Sequence, residues 1–311
     1  MRGSSKVDHP FLRLELSASD DAAFDHLDAA LSEIANCDRS VGIKKRPHQR
    51  LFILEGRAKA DLQSICDRIR NEYHLAVNVG LLGVAFLETI RKQAEGEGKY
   101  IRQIGGMGNY GHCRLRIQPS EFGKGYEFTN EIRDGSIPSD YMKAVEEGVV
   151  TAMELGVLAG FPVVDVKVIL YDGSYHEADS NQIAFRFAGA AAFKEAAQKA
   201  SPVVMEPMMA VEVEVPEQLV TATQNEIRMH RGRIESNVAA NAFSKMKAVV
   251  PLSELLLSTS RIAMSPMQFA GYEAVQDNDS SGENLSGVTA NRPGGPKPHS
   301  RSEMARPDSE D

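Results

Sequence analysis

The sequence predicts an α+β chain of three folded units and a polar tail, and three observations predict it. Strand and helix patterns follow a βαββαβ order over residues 1–80, and the same order returns over 204–276. The stretch between them, 81–203, carries its own strands and two long helical patterns. Two ferredoxin-like units therefore flank a separate α+β domain, as expected of a 311-residue chain, which is longer than one hydrophobic core usually grows.

In the first unit, Leu12, Leu14 and Leu16 alternate with Arg13 and Glu15, the pattern of a half-buried strand. Asp20 and Asp21 favour a helix start, and Phe24, Leu27, Leu31 and Ile34 fall on one face of that helix. Strands around Val41 and over Leu51 to Leu54 are expected to be joined by a basic turn, Lys44-Lys45-Arg46-Pro47. Leu62, Ile65, Cys66 and Ile69 predict a second helix, and Leu75 to Val79 a last strand. The basic run from Lys44 to Arg50 reads as a solvated turn, with RNA phosphate contact as the lesser reading.

In the middle unit, His112 to Ile117 alternates as a strand, and Tyr141, Val145, Val149, Ala152 and Leu155 mark a helix face. Val163 to Leu170 reads as a strand turned by Asp172-Gly173. Asp179 or Ser180 should cap a helix to Lys199 with Ile183, Phe187 and Ala190 on its core side. The last unit starts with Val211, Val213 and Val215 alternating against Glu212 and Glu214. It continues with a helix to about Met229, strands near Ile234 and at Met246 to Val250, a helix from Ser253 to about Ile262, and a strand from about Met267 to Tyr272. Residues 277–311 are Asp, Asn, Ser, Gly and Pro with almost no large apolar side chain, so a disordered tail is expected there.

Composition excludes several classes of function. With 35 Lys plus Arg against 43 Asp plus Glu, a net charge of −8 argues against bulk attraction to nucleic acid or anionic membrane, though local patches can still bind RNA. Cys37, Cys66 and Cys113 form no C-x-x-C pair, which speaks against a disulfide framework or zinc ribbon. Residues 1–10 hold no apolar leader core, and the apolar run Val79 to Leu87 is half of what a membrane span needs. A cytoplasmic protein without membrane contact is expected.

Gly106-Met107-Gly108-Asn109-Tyr110-Gly111 matches G-x-G-x-x-G, but a dinucleotide site needs a helix opening within it, and the residues after it alternate as a strand. A flexible Gly-rich turn between strands is the better reading. The P-loop pattern G-x-x-x-x-G-K-[ST] is absent: Gly98-Lys99 precedes Tyr100, and Gly123-Lys124 precedes Gly125. Adjacent His112 and Cys113 should point to opposite faces of a strand, which leaves no metal or nucleophile pair. His176, in the polar loop Gly173-Ser174-Tyr175-His176-Glu177-Ala178-Asp179-Ser180, reads equally as a solvated turn or as a functional group. Tyr110 and Tyr175 could stack on exposed bases or anchor local packing.

Several ordered blocks carry a family resemblance. They are Gly105 through His112, Gly125-Tyr126-Glu127-Phe128, Ile137-Pro138, Leu158 through Asp165, Asp172-Gly173-Ser174-Tyr175-His176 with Asp179-Ser180, Ala192-Phe193-Lys194-Glu195, Glu206-Pro207-Met208 and Val250 through Glu254. Spread over residues 105–254, they resemble the C-terminal half of bacterial elongation factor G, the ribosomal translocase. Residues 11–80 resemble its third domain more weakly, through the βαββαβ order and the exit Val77-Asn78-Val79-Gly80 leading to Glu88-Thr89-Ile90.

The resemblance implies the third, fourth and fifth domains, without the GTPase domain. The fourth, over 81–203, should be of the ribosomal-protein-S5 type. It implies ribosome binding (rRNA, the decoding centre, tRNA-mRNA) by two tip loops, formed by Gly105, Gly106, Met107, Gly108, Asn109, Tyr110 and Gly111 and by Ser174, Tyr175, His176 and Asp179. His176 corresponds to the tip histidine. No catalytic residue, metal or cofactor is implied in this chain; GTP and Mg²⁺ would enter only with a GTPase partner. Two departures stand out: Gly56-Arg57-Ala58-Lys59-Ala60-Asp61-Leu62 replaces the third domain's usual Gly-Glu-Leu-His-Leu-Glu, and Met107 occupies a position that is commonly Arg. The competing readings are a small-molecule or nucleotide-binding enzyme on an S5-like fold, and a degenerate fragment of the factor.

Overall fold

The computed structural model describes residues 9–38, 40–104, 107–133, 135–240, 242–257 and 267–275; the expected tail lies outside them. The described residues up to Val275 form one compact unit built on three sheets.

The first sheet comprises β1 (Leu12–Ser17), β2 (Gly42–Arg46), β3 (Leu51–Gly56) and β4 (Asn78–Val79) in the order β2-β3-β1-β4, with β5 (Gly83–Val84) also on β1. Helices α1 (Asp21–Cys37) and α2 (Lys59–Asn71) bury the two predicted stripes. Asp20 caps α1 by accepting from the Ala23 amide at 2.8 Å. The expected basic turn is corrected: Lys44 to Arg46 end β2, where Lys44 pairs with Glu55 and Lys45 with Asp28. The chain turns one step later, at Pro47–Gln49, closed by left-handed Arg50 at φ 48°. Proline can start this 3₁₀ turn because the turn asks for no N–H at its first position.

The middle sheet has the order β7-β8-β10-β9, from β7 (Ala94–Ile104), β8 (Met107–Pro119), β9 (Glu127–Asn130) and β10 (Val166–Ser174), after a short strand β6 (Leu87–Ile90) that belongs elsewhere. Helices α3 (Ser139–Leu155) and α4 (Gln182–Lys199) pack against it around Leu115, Val149, Val168 and Phe193, giving the S5-like domain. Four expectations fail here. Asp172-Gly173 is no turn, because β10 runs on through it after a bulge between Leu170 and Asp172. Asn181, not Asp179 or Ser180, caps α4 by accepting from the Ala184 amide at 2.9 Å. Ile183 and Phe187 are 64% and 52% exposed, and the buried face is Ala184, Phe185, Ala188, Gly189, Ala192 and Phe193. The helix sits so close to β7 that a Cβ at Gly98 would overlap the Ala188 carbonyl oxygen, so small residues, not large ones, mark its core side. Leu155, placed on the core face of α3, is likewise exposed.

Glu88, on β6, is fully buried. One carboxylate oxygen accepts from the amides of Val157 (2.7 Å) and Leu158 (2.9 Å), the other from Ala159, Gly160 and Phe161 at 2.7 to 3.0 Å. A buried charge is tolerated only with such satisfaction.

The third sheet repeats the order of the first as β12-β13-β11-β14, from β11 (Pro202–Pro216), β12 (Arg233–Ala240), β13 (Phe243–Pro251) and β14 (Met267–Ala274), and β6 extends it beside the start of β11. Helices α5 (Val220–Met229) and α6 (Leu252–Leu257) complete the ferredoxin-like unit. Ser253 lies inside α6 and does not cap it. Its hydroxyl accepts from Arg231 at 3.1 Å and donates to buried Glu206 at 3.2 Å. The helix predicted onward to Ile262 runs into 258–266, outside the described residues. The first and third units meet where Phe11 stacks on Phe269 at 4.8 Å and the Tyr272 hydroxyl reaches the carbonyls of Pro10 (2.7 Å) and Ala85 (2.8 Å).

Candidate nucleic-acid interface

Strands β7 and β8 pair from Ala94↔Ile117 out to Ile104↔Met107, forming a long hairpin whose outer end stands beside the loop after β10. The two predicted loops are brought together there. The Tyr110 amide donates to the Asp179 carbonyl at 2.8 Å, and Tyr110 and Ser180 form a parallel bridge. The Tyr110 hydroxyl lies 2.7 Å from Ser174 Oγ, and its ring meets His176 edge to face with centroids 4.3 Å apart. Asn181 donates to Asn109 at 2.7 Å. The second loop closes on itself, the His176 amide donating to Ser180 Oγ and the Ser180 amide to the His176 carbonyl.

Gly108 and Gly111 are strand residues, and these two glycines serve close approach more than flexibility. A Cβ at Gly108 would overlap the Asp179 carboxylate, and one at Gly111 the backbone of Ala184 and Phe185. Because β8 runs straight through both positions, no helix opens in this motif to receive a pyrophosphate. Gly105 and Gly106 lie outside the described residues, and Met107 pairs with Ile104 through the backbone. Tyr175 and His176 are exposed and available to a partner.

Sequence reasoning missed a supporting row behind the loops. His112 Nδ1 lies 2.8 Å from Ser174 Oγ and its Nε2 2.8 Å from Glu97 Oε1. The His112 hydrogen bond, aided by Arg114, holds the Glu97 carboxyl below the usual carboxylate range. Ser174 Oγ is thus shared between Tyr110 and His112, acting as a tie and not as an open nucleophile. Strand alternation foretold the opposite facing of His112 and Cys113, but the cross-strand partners depend on registry that one strand cannot reveal. Cys113 is fully buried, and desolvation pushes its thiol up to about 12. Among the described residues, no three His, Cys, Asp or Glu side chains gather as metal ligands.

Residues 83–201 match the family model described as elongation factor G, domain IV, and residues 203–281 match that of the elongation factor G C-terminus. The chain belongs to the elongation factor G family. Both candidate loops fall within the match to domain IV of elongation factor G, as does β6, and strands β12 to β14 with nearly all of β11 fall within the match to its C-terminal region. A protein of Thermus thermophilus known from a crystal structure is 32% identical over 92% of this chain, with a TM-score of 0.59. The chain spans 43% of that relative's length.

Proposed function

We propose that this elongation factor G-like module binds the ribosome, its domain IV reaching the decoding centre and the tRNA-mRNA held there. The observation that carries the reading is the joining of the two loops through Tyr110 and His176 while the His176 and Tyr175 side chains stay exposed. A Gly-rich strand end that lets backbone approach RNA, beside rings able to stack or hydrogen-bond to bases and 2′-hydroxyls, suits recognition of folded RNA. In this proposal the loops act by binding, with Gly105, Gly106, Met107 and Gly108 contributing backbone and Ser174 and Asp179 holding the second loop. Domain IV needs no cofactor for that role, and GTP hydrolysis would come from a GTPase domain acting with it. No described helix is long and apolar enough to cross a membrane.

Co-sedimentation with ribosomes over a salt series tests the proposal. Binding that weakens with salt and falls at least several-fold in His176→Ala supports it; pelleting that is absent at low salt, or equal in the variant, overturns it.

A further inference from the structure

Domain IV carries its cations differently on its two broad faces. On the open face of the sheet, Arg116 pairs with Glu95 at 2.9 Å, Arg114 with Glu97 and Asp172 at 3.4 and 3.3 Å, and Lys167 with Glu127 at 2.8 Å. On the helical side, Arg102 lies over the Tyr100 ring at 5.6 Å, and Tyr100 stacks on Phe187 of α4 with centroids 4.9 Å apart and planes at 16°. Arg102, Arg186 and Lys194 are exposed, and among the described residues none has a carboxylate partner.

Phe187 is 52% exposed, its ring lying on Tyr100 of β7 beside the alanine contacts that α4 makes with that strand. It also walls a cleft of about 310 Å³ between the end of α3 and α4, lined further by Leu155, Val157, Ala190 and Lys194. An exposed ring in a cleft, backed by a second ring and a guanidinium, with the Lys194 ammonium in the lining, has the makings of a base-stacking platform. Apolar lining alone would suit a protein helix equally well. The free cations favour an anionic backbone beside the stacked group.

We propose that this cleft is a second RNA site, separate from the two loops, taking one unstacked nucleotide of a single strand. The base stacks on Phe187 and an adjoining phosphate meets Lys194. The inference deepens the ribosome reading by naming a structural class of RNA, and it can be tested apart from it.

The test is fluorescence anisotropy of the full chain with a short dye-labelled polyadenylate, against an RNA duplex of the same length, at several salt concentrations. Single-stranded RNA is expected to bind tighter than duplex, Phe187→Ala to weaken it about tenfold, and Phe187→Tyr to restore it. Lys194→Glu should flatten the salt dependence by about one phosphate contact. Thermal melts of each variant separate loss of binding from loss of fold. Equal affinity of Phe187→Ala and wild type, preference for duplex, or no binding at low salt overturns the proposal. So does loss of ribosome pelleting in Phe187→Ala with RNA affinity unchanged, the result expected of a protein-facing patch. Phe187-dependent RNA binding by a chain that does not pellet with ribosomes keeps this site and sinks the ribosome reading instead.

Discussion

Tyr110 and His176, from loops 66 positions apart by their numbering, meet edge to face with ring planes at 73° and centroids 4.3 Å apart. The contact makes one surface of two loops, since the Tyr110 hydroxyl is held by Ser174 and its amide by Asp179.

Tyr110→Phe keeps the ring and removes the tie to Ser174. A loss of about 1 kcal/mol is expected, the net worth of one such hydrogen bond, read from urea unfolding. Ribosome pelleting should fall less in Tyr110→Phe than in Tyr110→Ala, which also removes the support of His176.

Glu88 offers a sharper test. In Glu88→Gln the side-chain amide must turn its NH₂ toward backbone N–H donors on one side of the cage, leaving buried donors unpaired. The expected loss is on the order of 3 kcal/mol in urea unfolding. A loss below the usual scatter of surface substitutions would show that water replaces the carboxylate.

Acid stability should depend on Asp165, a buried residue in the left-handed region at φ 56°. Burial pushes its carboxyl up. The His9 ring, with Nε2 at 3.9 Å, and the amides of Gly123 (3.0 Å) and Gly125 (2.8 Å) outweigh burial and hold the carboxyl below its ordinary 3.8. A depressed folded-state value stabilises the fold above the unfolded value, and that stability is lost as pH falls below about 4 toward the folded one. Asp165→Asn should therefore lower the urea midpoint at pH 7 and flatten its decline as pH falls below the ordinary carboxylate value.

Thiol titration should separate the three cysteines. Cys37 is exposed, whereas burial raises the thiol of Cys66 and pushes that of Cys113 up to about 12. Ellman's reagent is expected to label Cys37 promptly in the native protein and Cys113 only on unfolding. Prompt labelling of Cys113 would contradict its burial.

Much of the fold was legible in the sequence because its signals are local. Leu12, Leu14 and Leu16 against Arg13 and Glu15 report one strand's two faces, and Phe24, Leu27, Leu31 and Ile34 one helix's stripe. The reading failed where a neighbour's backbone set the rule. On α4 the approach of β7 selects alanine and glycine, so the bulky Ile183 and Phe187 pointed to the wrong face. The two loops were legible through family resemblance, but the row Glu97–His112–Ser174 was not, because it lies across three strands whose pairing no single segment encodes. Glu88 was equally hidden: its five amide donors begin 69 positions later.

Ile90 lies opposite Pro202 and Leu87 opposite Met205, so the chain enters and leaves domain IV on adjoining strands about 4.8 Å apart. Eleven residues of β7 carry the hairpin roughly 35 Å outward from that base. A sideways push on the loops passes from the hairpin's own ladder to a second one, β6 on β11, with the Glu88 cage joining the two at the foot, and not to two tethers free to swivel. Mechanically the arm is a cantilever built into its wall, and deflecting its end must load the sheet that follows it.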